Sequence, residues 1–509
     1  MVSSTMDVNL PSLIAIAGLS LFLAKFLHIV ATWWLHRRFL RQRIPEPCKP
    51  HWLRGHLVAD NRLAWDTYIG YARKLPRMFL RQLGPFTTSV SVSHPDTIAD
   101  VMRTKSVKHP LSGRVFRAWL GNGLLFTEGK RWARDHKLIS NVFSPDMRRE
   151  YVNFYKEAAF IMLDLWEEQL NKSVDVSQYF PMLTFDIILR CAMGTETNCQ
   201  TESDPSAPAL RYAAALRGII EIIFSRFKKP WFYSDFIFLH SPTGRRFQKL
   251  LAETHKFSEQ LIRDRRACLQ KAEGGIDAGN QRHRDMLDIL LMARDEDGVG
   301  YSDTEICEHV ETFLFAGHDT TASAFQWIIH YLSLNHDVQE RCRKEVLAVL
   351  ERCGGLDNFA HEHLADLEYL TQTIHEVLRL SNVVAFVAKT SKHAFQVDGV
   401  RLPTGTGFQL NMMGVHMSKQ VWTDPDTFNP DRFSPDQGST RSSYAFIPFS
   451  CGPRACIGKH FAMDEMKVVM AMILSKFRFT PDPHAKQPAW VMALIVKPDP
   501  GVHVKLELV

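Results

Sequence analysis

The stretch that decides the fold is Phe449-Ser450-Cys451-Gly452-Pro453-Arg454-Ala455-Cys456-Ile457-Gly458. It places Cys456 between two glycines, so the backbone can come close to whatever the sulfur binds and can turn amide groups toward the sulfur. A helix is predicted directly behind it, over 459–476, and the positive end of that helix favours an anionic sulfur. The pattern therefore predicts that Cys456 is a thiolate ligand.

Two other interpretations of this loop explain fewer of its residues. A plain buried thiol would account for none of the neighbours of Cys456, and a zinc site built from Cys451, Cys456 and His460 lacks a fourth ligand at finger spacing. A thiolate on haem iron uses the whole loop, because it pushes electron density toward bound oxygen. Arg454 can then reach a haem propionate with a charge-assisted hydrogen bond, and Phe449 would shield the proximal face.

The composition is that of an ordinary globular protein. The chain has 509 residues, of which 45% are hydrophobic and 23% charged, and its formal net charge of +6 is too mild for a dedicated nucleic-acid binder. Nine cysteines show no repeated spacing, which argues against a disulfide framework and favours a reducing compartment.

The N-terminal segment predicts a membrane anchor. Leu10 to Leu35 is almost continuously apolar, broken by Lys25 and His28, and is long enough to span a bilayer as a tilted helix. A basic cluster follows at 36–43, so the positive-inside rule places the remainder of the chain in the cytosol, and a cleaved signal peptide fits less well. We predict a short luminal N-terminus over 1–9, a transmembrane signal anchor over 10–35, a basic and proline-rich linker over 36–50, and a cytosolic haem-thiolate catalytic domain over 51–509.

The body is predicted to be mainly α with small β-sheets. Apolar residues recur at helical spacing near 150–195, 208–225, 244–272, 302–350, 364–380 and 458–476. Short strands are predicted at Thr88–Val92, Phe395–Val400, Ala493–Val496 and Val502–Leu508, and polar surface loops at Thr195–Pro208 and Glu273–Asp285.

A long helix is predicted to begin at Ser302, where Ser302-Asp303-Thr304-Glu305 forms a capping box. Farther along lies Ala316-Gly317-His318-Asp319-Thr320-Thr321. The Thr320 hydroxyl can bond the Ala316 carbonyl and bend the helix, and with Gly317 this could open a groove large enough for dioxygen. An ordinary helix with Thr320 on its surface is the alternative.

The cysteine loop and this helix together resemble the cytochrome P-450 superfamily, and the resemblance covers essentially the whole chain. It implies the P-450 fold, behind an N-terminal transmembrane helix, and haem b as the cofactor. Thr320 and Asp319 are then the catalytic pair, with Asp319 relaying protons from solvent and the Thr320 hydroxyl passing them to oxygen. The iron would be ligated by Cys456.

The resemblance also assigns the residues that hold the haem. Glu376, Arg379 and Arg432 match the buried ion network that supports folding and haem retention. Trp132 and His136 match the helix that contacts a propionate, although His136 stands where arginine is usual. Lys389 likewise replaces an arginine. These propionate contacts are therefore predicted to be softer than is typical of the family.

Three stretches resemble family four, the fatty-acid ω-hydroxylase branch: Glu311 to Thr321, Lys229-Pro230-Trp231 with 235–238, and Ser241 to Arg246. Many members carry a glutamate, esterified to the haem, at the position of Ala316, so this haem is expected to be held non-covalently. Long-chain fatty acids or related lipids are the expected substrates. Candidate pocket residues are Phe116, Leu120, Leu124, Phe313, Val384, Phe386 and Leu494.

The resemblance implies an external electron donor, since the chain shows no G-x-G-x-x-G or other nicotinamide or flavin motif. We expect NADPH–cytochrome P-450 reductase, with cytochrome b5 as a second candidate partner, at the endoplasmic reticulum membrane. A basic docking face is predicted from Lys130, Arg131, Arg134, Lys137, Arg148, Arg149, Lys459 and Lys467. The alternatives are a haem-thiolate isomerase or dehydratase that rearranges lipid peroxides, and a haem sensor or ligand carrier without enzymatic activity.

Overall fold

The structure is a computed structural model that describes residues 10–273, 285–294, 298–438 and 441–509. The predicted luminal segment 1–9 and nearly all of the predicted loop Glu273–Asp285 lie outside these residues. The helices are α1 Leu10–Arg41, α2 Asn61–Lys74, α3 Pro95–Met102, α4 Pro110–Leu120, α5 Gly129–Ser140, α6 Pro145–Glu167, α7 Phe180–Met193, α8 Pro208–Lys228, α9 Asp235–His240, α10 Pro242–Glu273, α11 Met286–Met292, α12 Asp303–Leu334, α13 His336–Cys353, α14 Glu368–Leu380, α15 Met412–His416, α16 Pro435–Gly438 and α17 Lys459–Lys476.

The strands are short, as predicted. They are β1 Met78–Gln82, β2 Thr88–Val92, β3 Ser106–Lys108, β4 Ser173–Asp175, β5 Phe386–Ser391, β6 Phe395–Val397, β7 Val400–Leu402, β8 Gly407–Asn411, β9 Phe477–Pro481, β10 Ala489–Val491, β11 Lys497–Asp499 and β12 His503–Leu508. A five-stranded sheet has the order β1-β2-β8-β5-β3, in which β2 and β8 are parallel and the other neighbours antiparallel. Smaller sheets join β4-β12-β9, β10-β11 and β6-β7. The mainly α class with small sheets is confirmed.

Helix α1 is the candidate membrane span. The segment 16–41 is long and apolar enough to cross a bilayer, and its apolar window is not buried against the protein. The helix continues to Arg41, into the predicted linker, where Leu40 and Ile44 are fully buried against the sheet. Arg41 also pairs with Glu46 at 2.9 Å. The linker is therefore packed onto the body and is not an open spacer.

Helix α12 runs through the core and is built as the sequence indicates. The Ser302 hydroxyl accepts a hydrogen bond from the Glu305 amide, and the Glu305 carboxylate accepts one from the Ser302 amide, which confirms the capping box. The predicted helical stretch 302–350 divides at Asn335 into α12 and α13. The stretch 150–195 likewise divides into α6 and α7, with β4 between them.

Two predicted strands differ from the structure. Phe395–Val400 is not one strand but part of a hairpin, in which residues 398 and 399 form the turn between β6 and β7. The second does not form a strand. Residues Ala493–Val496 form the bend between β10 and β11, and the apolar run reflects burial, since Ile495 and Val496 are 3% and 1% exposed. A short apolar run satisfies a buried bend as well as a buried strand, because both remove the same side chains from water.

Candidate active site

The cysteine loop wraps tightly around Cys456. The Cys456 amide donates a hydrogen bond to the Phe449 carbonyl at 2.9 Å, and the Ala455 amide donates one to the Gly452 carbonyl at 3.0 Å. Gly452 has a φ of 73°, a left-handed conformation that glycine adopts more easily than any other residue. The loop therefore presents one sulfur from a rigid backbone.

The Cys456 side chain is accessible to small molecules although protein surrounds it, which means that it opens into an internal cavity. Burial raises the pKa of the thiol, while a hydrogen bond from the Gly458 amide and the charge of Lys459 act to lower it. Burial has the largest effect, so the pKa of the thiol stays raised, and the Gly458 amide and Lys459 offset only part of this effect. The ligation of iron by a Cys456 thiolate therefore stays a prediction.

Helix α12 exposes one short stretch of an otherwise buried face. Between residues 309 and 329, every position is buried except Ala316, Gly317 and Thr320, and of these Ala316 is the most exposed. A buried helix with accessible residues four apart lines a cavity along one face. These positions therefore supply the distal wall of the candidate site.

The Thr320 hydroxyl donates to the Ala316 carbonyl at 2.8 Å, which confirms the hydrogen bond predicted from the sequence. Gly317 serves a different purpose from the one expected. A Cβ at this position would lie 2.6 Å from Ile188 of α7, so the glycine admits the close approach of α7 rather than widening a groove. The small side chain of Ala316, rather than Gly317, leaves the space beside α12.

Asp319 is paired in a way that the sequence did not reveal. Its carboxylate is 5% exposed and accepts a hydrogen bond from the Lys497 ammonium on β11 at 2.5 Å, while its second oxygen has no hydrogen-bond partner among the described residues. Lys497 is 36% exposed. The pair therefore connects α12 with the protein surface, and no motif marks Lys497 because it lies 178 residues away.

Arg454 is held at one side of the cavity. Its guanidinium lies 4.2 Å from the centre of the Trp132 ring and donates to the carbonyl oxygens of Thr127 and Leu124. The Trp132 and His136 rings lie 4.9 Å apart on α5. Burial lowers the pKa of Arg454. The structure thus brings together three of the residues predicted to contact the propionates.

Two lysines complete a half-buried cluster of cations, in which Lys389 is buried and Lys108 and Arg454 are partly accessible. Lys108 and Lys389 stand opposite each other in the β3–β5 register. Burial, with the charges of Lys389 and Arg454, lowers the pKa of Lys108 to about 8, and burial also lowers that of Lys389. No carboxylate forms an ion pair with any of the three cations within the part of the chain that the structure describes. The sequence alone did not indicate a role for Lys108, because a three-residue strand carries no recognisable motif.

Such a cluster is unfavourable by itself, because burial and like charges both oppose ionisation. It becomes favourable when an anion occupies the space between the cations. The two propionates of a haem supply two negative charges beside the thiolate loop, so the residues present fit the cofactor.

The support beneath the loop matches the predicted ion network. Arg379 and Glu376 are fully buried and pair at 2.7 Å, and Arg432 lies 3.3 Å from the same carboxylate. Arg379 also donates to the carbonyl oxygens of His416 and Pro425. The network connects α14 to the segment that precedes the cysteine loop. These residues therefore support the fold.

The predicted pocket residues divide into two groups. Phe116, Leu120, Leu124 and Phe313 are buried in the core, whereas Val384, Phe386 and Leu494 are partly accessible. The partly accessible group is the better source of contacts to a substrate, because its surface is still open.

The predicted basic face requires correction. Arg131 pairs with Glu305 and Glu308, Arg134 with Asp135, and Arg148 with Asp464. Arg149 pairs with Asp146, and the Lys467 ammonium donates to the Leu364 carbonyl. Lys130, Lys137 and Lys459 remain exposed without an acidic partner among the described residues. The sequence did not reveal most of these ion pairs, because most of the acidic residues lie on a different helix from their basic partners.

Comparison with known proteins agrees with this geometry. The cytochrome P450 family model matches residues 45–506. Human cytochrome P450 4B1 is 35% identical, with 100% of this chain and 98% of that protein covered, and rabbit (Oryctolagus cuniculus) cytochrome P450 4A6 is 34% identical, with 98% and 97% covered. Taurochenodeoxycholic 6 alpha-hydroxylase of Sus scrofa is 35% identical, with 82% and 81% covered.

A solved structure, the haem domain of cytochrome P450DA, shares the fold with a TM-score of 0.79 at 23% identity, covering 92% of this chain and 98% of that one. Cysteine loop, distal helix, fold and relatives all agree. The chain therefore belongs to the cytochrome P450 family, alongside its family-four members, and is a haem monooxygenase.

Proposed function

We propose that this enzyme hydroxylates long-chain fatty acids or related lipids at or near the ω end. The proposal rests on one observation: an accessible thiol deep in the protein occurs together with a distal helix whose buried stretch, residues 309–329, is accessible only around Ala316 and Thr320. Support for the lipid class comes from the three family-four stretches and from relatives whose chains this one covers almost completely. The apolar helix α1 would hold the catalytic body at the membrane, which suits a substrate that partitions into lipid.

Different residues would bind different parts of the cofactor. Cys456 would ligate the iron, and Arg454, Lys389, Trp132 and His136 would receive the propionates. We add Lys108, because it completes the unpaired cation cluster. Phe449 would cover the proximal face. The haem, when bound, supplies the activation of dioxygen, with one oxygen atom going to the substrate and the other leaving as water.

The protein's own part in the reaction is to deliver two protons and exclude bulk water. Asp319 would take up protons through Lys497, whose ammonium is partly exposed, and Thr320 would pass them on through its hydroxyl. For this the Thr320 hydroxyl must exchange its bond to the Ala316 carbonyl for one directed into the cavity. Ala316 has no carboxylate, so the haem is held by Cys456 and the propionate contacts alone.

Electrons would come from NADPH through cytochrome P-450 reductase, with cytochrome b5 as a second donor, at the cytosolic face of the endoplasmic reticulum. The three exposed lysines Lys130, Lys137 and Lys459 favour an acidic partner, since charge of one sign steers association. A single-pass anchor over 10–35 and a catalytic domain over 51–509 complete this proposal.

The test is product identification. The enzyme is incubated with reductase and NADPH and with fatty acids, eicosanoids, bile-acid conjugates and sterols, and the products are identified by mass spectrometry, with Cys456→Ser as the inactive control. We expect fatty acids hydroxylated at the ω or neighbouring carbon. Turnover of bile-acid conjugates alone would replace the fatty-acid proposal with the activity named for the porcine relative. Rearrangement of lipid peroxides without NADPH would indicate an isomerase.

A further inference from the structure

A second cluster of reactive side chains lies between α10 and α12, apart from the cysteine loop. Cys307 and Glu311 are four residues apart on α12 and share one face of that helix, and His255 reaches them from α10. The Glu311 carboxylate accepts a hydrogen bond from His255 Nδ1 at 2.5 Å and one from the Cys307 thiol at 3.9 Å. One ligand atom from each residue lies within 4.8 Å of the others.

These contacts provide hydrogen-bond partners for only one of the two carboxylate oxygens of Glu311. Its side chain is fully buried, and the contacts from His255, Cys307 and Ser258 all fall on Oε1. Oε2 has no hydrogen-bond partner in the part of the chain that the structure describes. A buried carboxylate oxygen without a partner is costly, and an ion pair with His255 does not remove that cost.

The cluster is open to small ions from one side. His255 and Cys307 line a cavity of about 520 Å³ at the end of α4, together with the carboxylates of Glu259 and Glu308. Two arginines also line this cavity, so charges of both signs surround its mouth. The cavity has room for a water molecule as an additional ligand.

We propose that His255, Cys307 and Glu311 bind one divalent zinc-type metal ion, with a water from this cavity as the fourth ligand. Mixed nitrogen, sulfur and oxygen donors suit zinc, which takes four ligands in tetrahedral geometry. Binding would displace the Cys307 thiol proton and the proton shared by His255 and Glu311, and would give Oε2 a partner. The ion would join α10 to α12, next to the distal wall of the haem site.

The experiment uses untagged, full-length holoenzyme that has been stripped with a chelator and then dialysed against Zn²⁺. Bound zinc is counted by mass spectrometry, and X-ray absorption at the zinc edge reports the ligands without interference from iron. We expect one zinc per chain, with one sulfur at about 2.3 Å and nitrogen or oxygen neighbours at about 2.0–2.1 Å. A spectrum with no sulfur neighbour would overturn the proposal.

Variants identify the site. Cys307→Ser and His255→Gln should each weaken zinc binding by about 100-fold or more, because even indirect supporting partners cost about 10- to 100-fold. Glu259→Gln in the cavity wall and Cys268→Ser, an exposed cysteine on α10, are the matched controls and should bind zinc as the wild type does. Equal binding by all four variants, or no binding by the wild type at micromolar zinc, contradicts the proposal. The haem spectrum of each variant verifies that it is folded.

Discussion

Thr320 is the residue on which proton delivery depends in this account. Its hydroxyl bonds the Ala316 carbonyl and is accessible from the cavity, so Thr320→Ala removes a proton donor without disturbing a packed side chain. We expect haem binding to be retained while product formed per NADPH falls about 10-fold or more, since positioned proton transfer is commonly worth about 100-fold. Parallel assays of NADPH consumption and product measure this ratio.

Thr321 provides the matched control for this experiment. It makes the same type of bond, to the Gly317 carbonyl at 3.0 Å, but it is buried. Thr321→Ala should leave coupling near the wild-type value, and Thr320→Ser should restore most of it. If Thr320→Ala couples as well as the wild type, then Thr320 is an ordinary helix residue and another group supplies the protons.

We expect haem retention to depend on pH through Lys108. Without haem its pKa is lowered to about 8 by burial and by its cationic neighbours, and the propionates would raise it again. Above pH 8 the haem-bound state therefore holds a proton that the haem-free state has lost, so haem affinity should fall as pH rises, by up to about tenfold per unit. The rate of haem transfer to apomyoglobin, measured between pH 7 and 10, checks this.

Lys108→Met should release haem roughly 10- to 100-fold faster at neutral pH, which corresponds to one charge-assisted hydrogen bond. It should also lose most of the pH dependence above pH 8. Lys105→Met is the control, because Lys105 is exposed on the same segment. A Lys108→Met variant with the wild-type rate and pH profile would remove Lys108 from the propionate site.

The sequence predicted residues whose neighbours are local and missed those whose partners are remote. Cys456 and its amides lie within one loop, and the Thr320–Ala316 bond spans one helical turn, so both follow from spacing. Lys108 acquires its role only through the β3–β5 register, and Lys497 meets Asp319 across the fold. Contacts of that kind depend on tertiary packing, which single-chain spacing does not contain.

At the scale of elements, we expect α12 to decide whether the haem is held covalently. Ala316 is the most exposed position in the buried stretch of this helix and has no carboxylate to form an ester. Acid–acetone extraction should therefore release all of the haem from the wild-type protein. Haem that stays with the polypeptide would mean that another carboxylate of the chain forms the link. Ala316→Glu should retain part of the haem after turnover, measured by the same extraction.

Most of the long helices could be predicted from sequence, but most of their ends could not, and the start of α12 is an exception. A capping box defines the start of α12 because its two hydrogen bonds are local. The division between α12 and α13 at Asn335 was missed because apolar periodicity continues across it. The run 493–496 predicts a strand although none forms, because burial of its side chains, rather than strand pairing, selects apolar residues there.

At the scale of the whole molecule, ion pairing reduces the predicted docking face to a few residues. Arg131, Arg134 and Arg148 are neutralised by acids of the protein itself. Reversing Lys130, Lys137 and Lys459 to glutamate should slow reduction of the iron by the reductase about 10-fold at low salt and weaken its salt dependence, while substrate binding remains normal. Stopped-flow reduction at several ionic strengths measures both effects.

A variant of the same net charge isolates the position of these lysines. Lys172, Lys249 and Lys256 are exposed elsewhere, and their reversal to glutamate changes the total charge equally. It should leave the reduction rate close to that of the wild type. Equal slowing by both triple variants would show that net charge, and not a docking face, controls the encounter.

The central claim is that Cys456 holds the haem iron as a thiolate. The most direct measurement is the absorption spectrum of the reduced carbon monoxide complex, in which a thiolate ligand shifts the main haem band to long wavelength. The wild type should show that band. Cys456→Ser should lose it entirely, because an alcohol is a poor donor to ferrous iron, whereas Cys451→Ser, in the same loop, should keep it. A Cys456→Ser protein that retains the long-wavelength band would contradict the account.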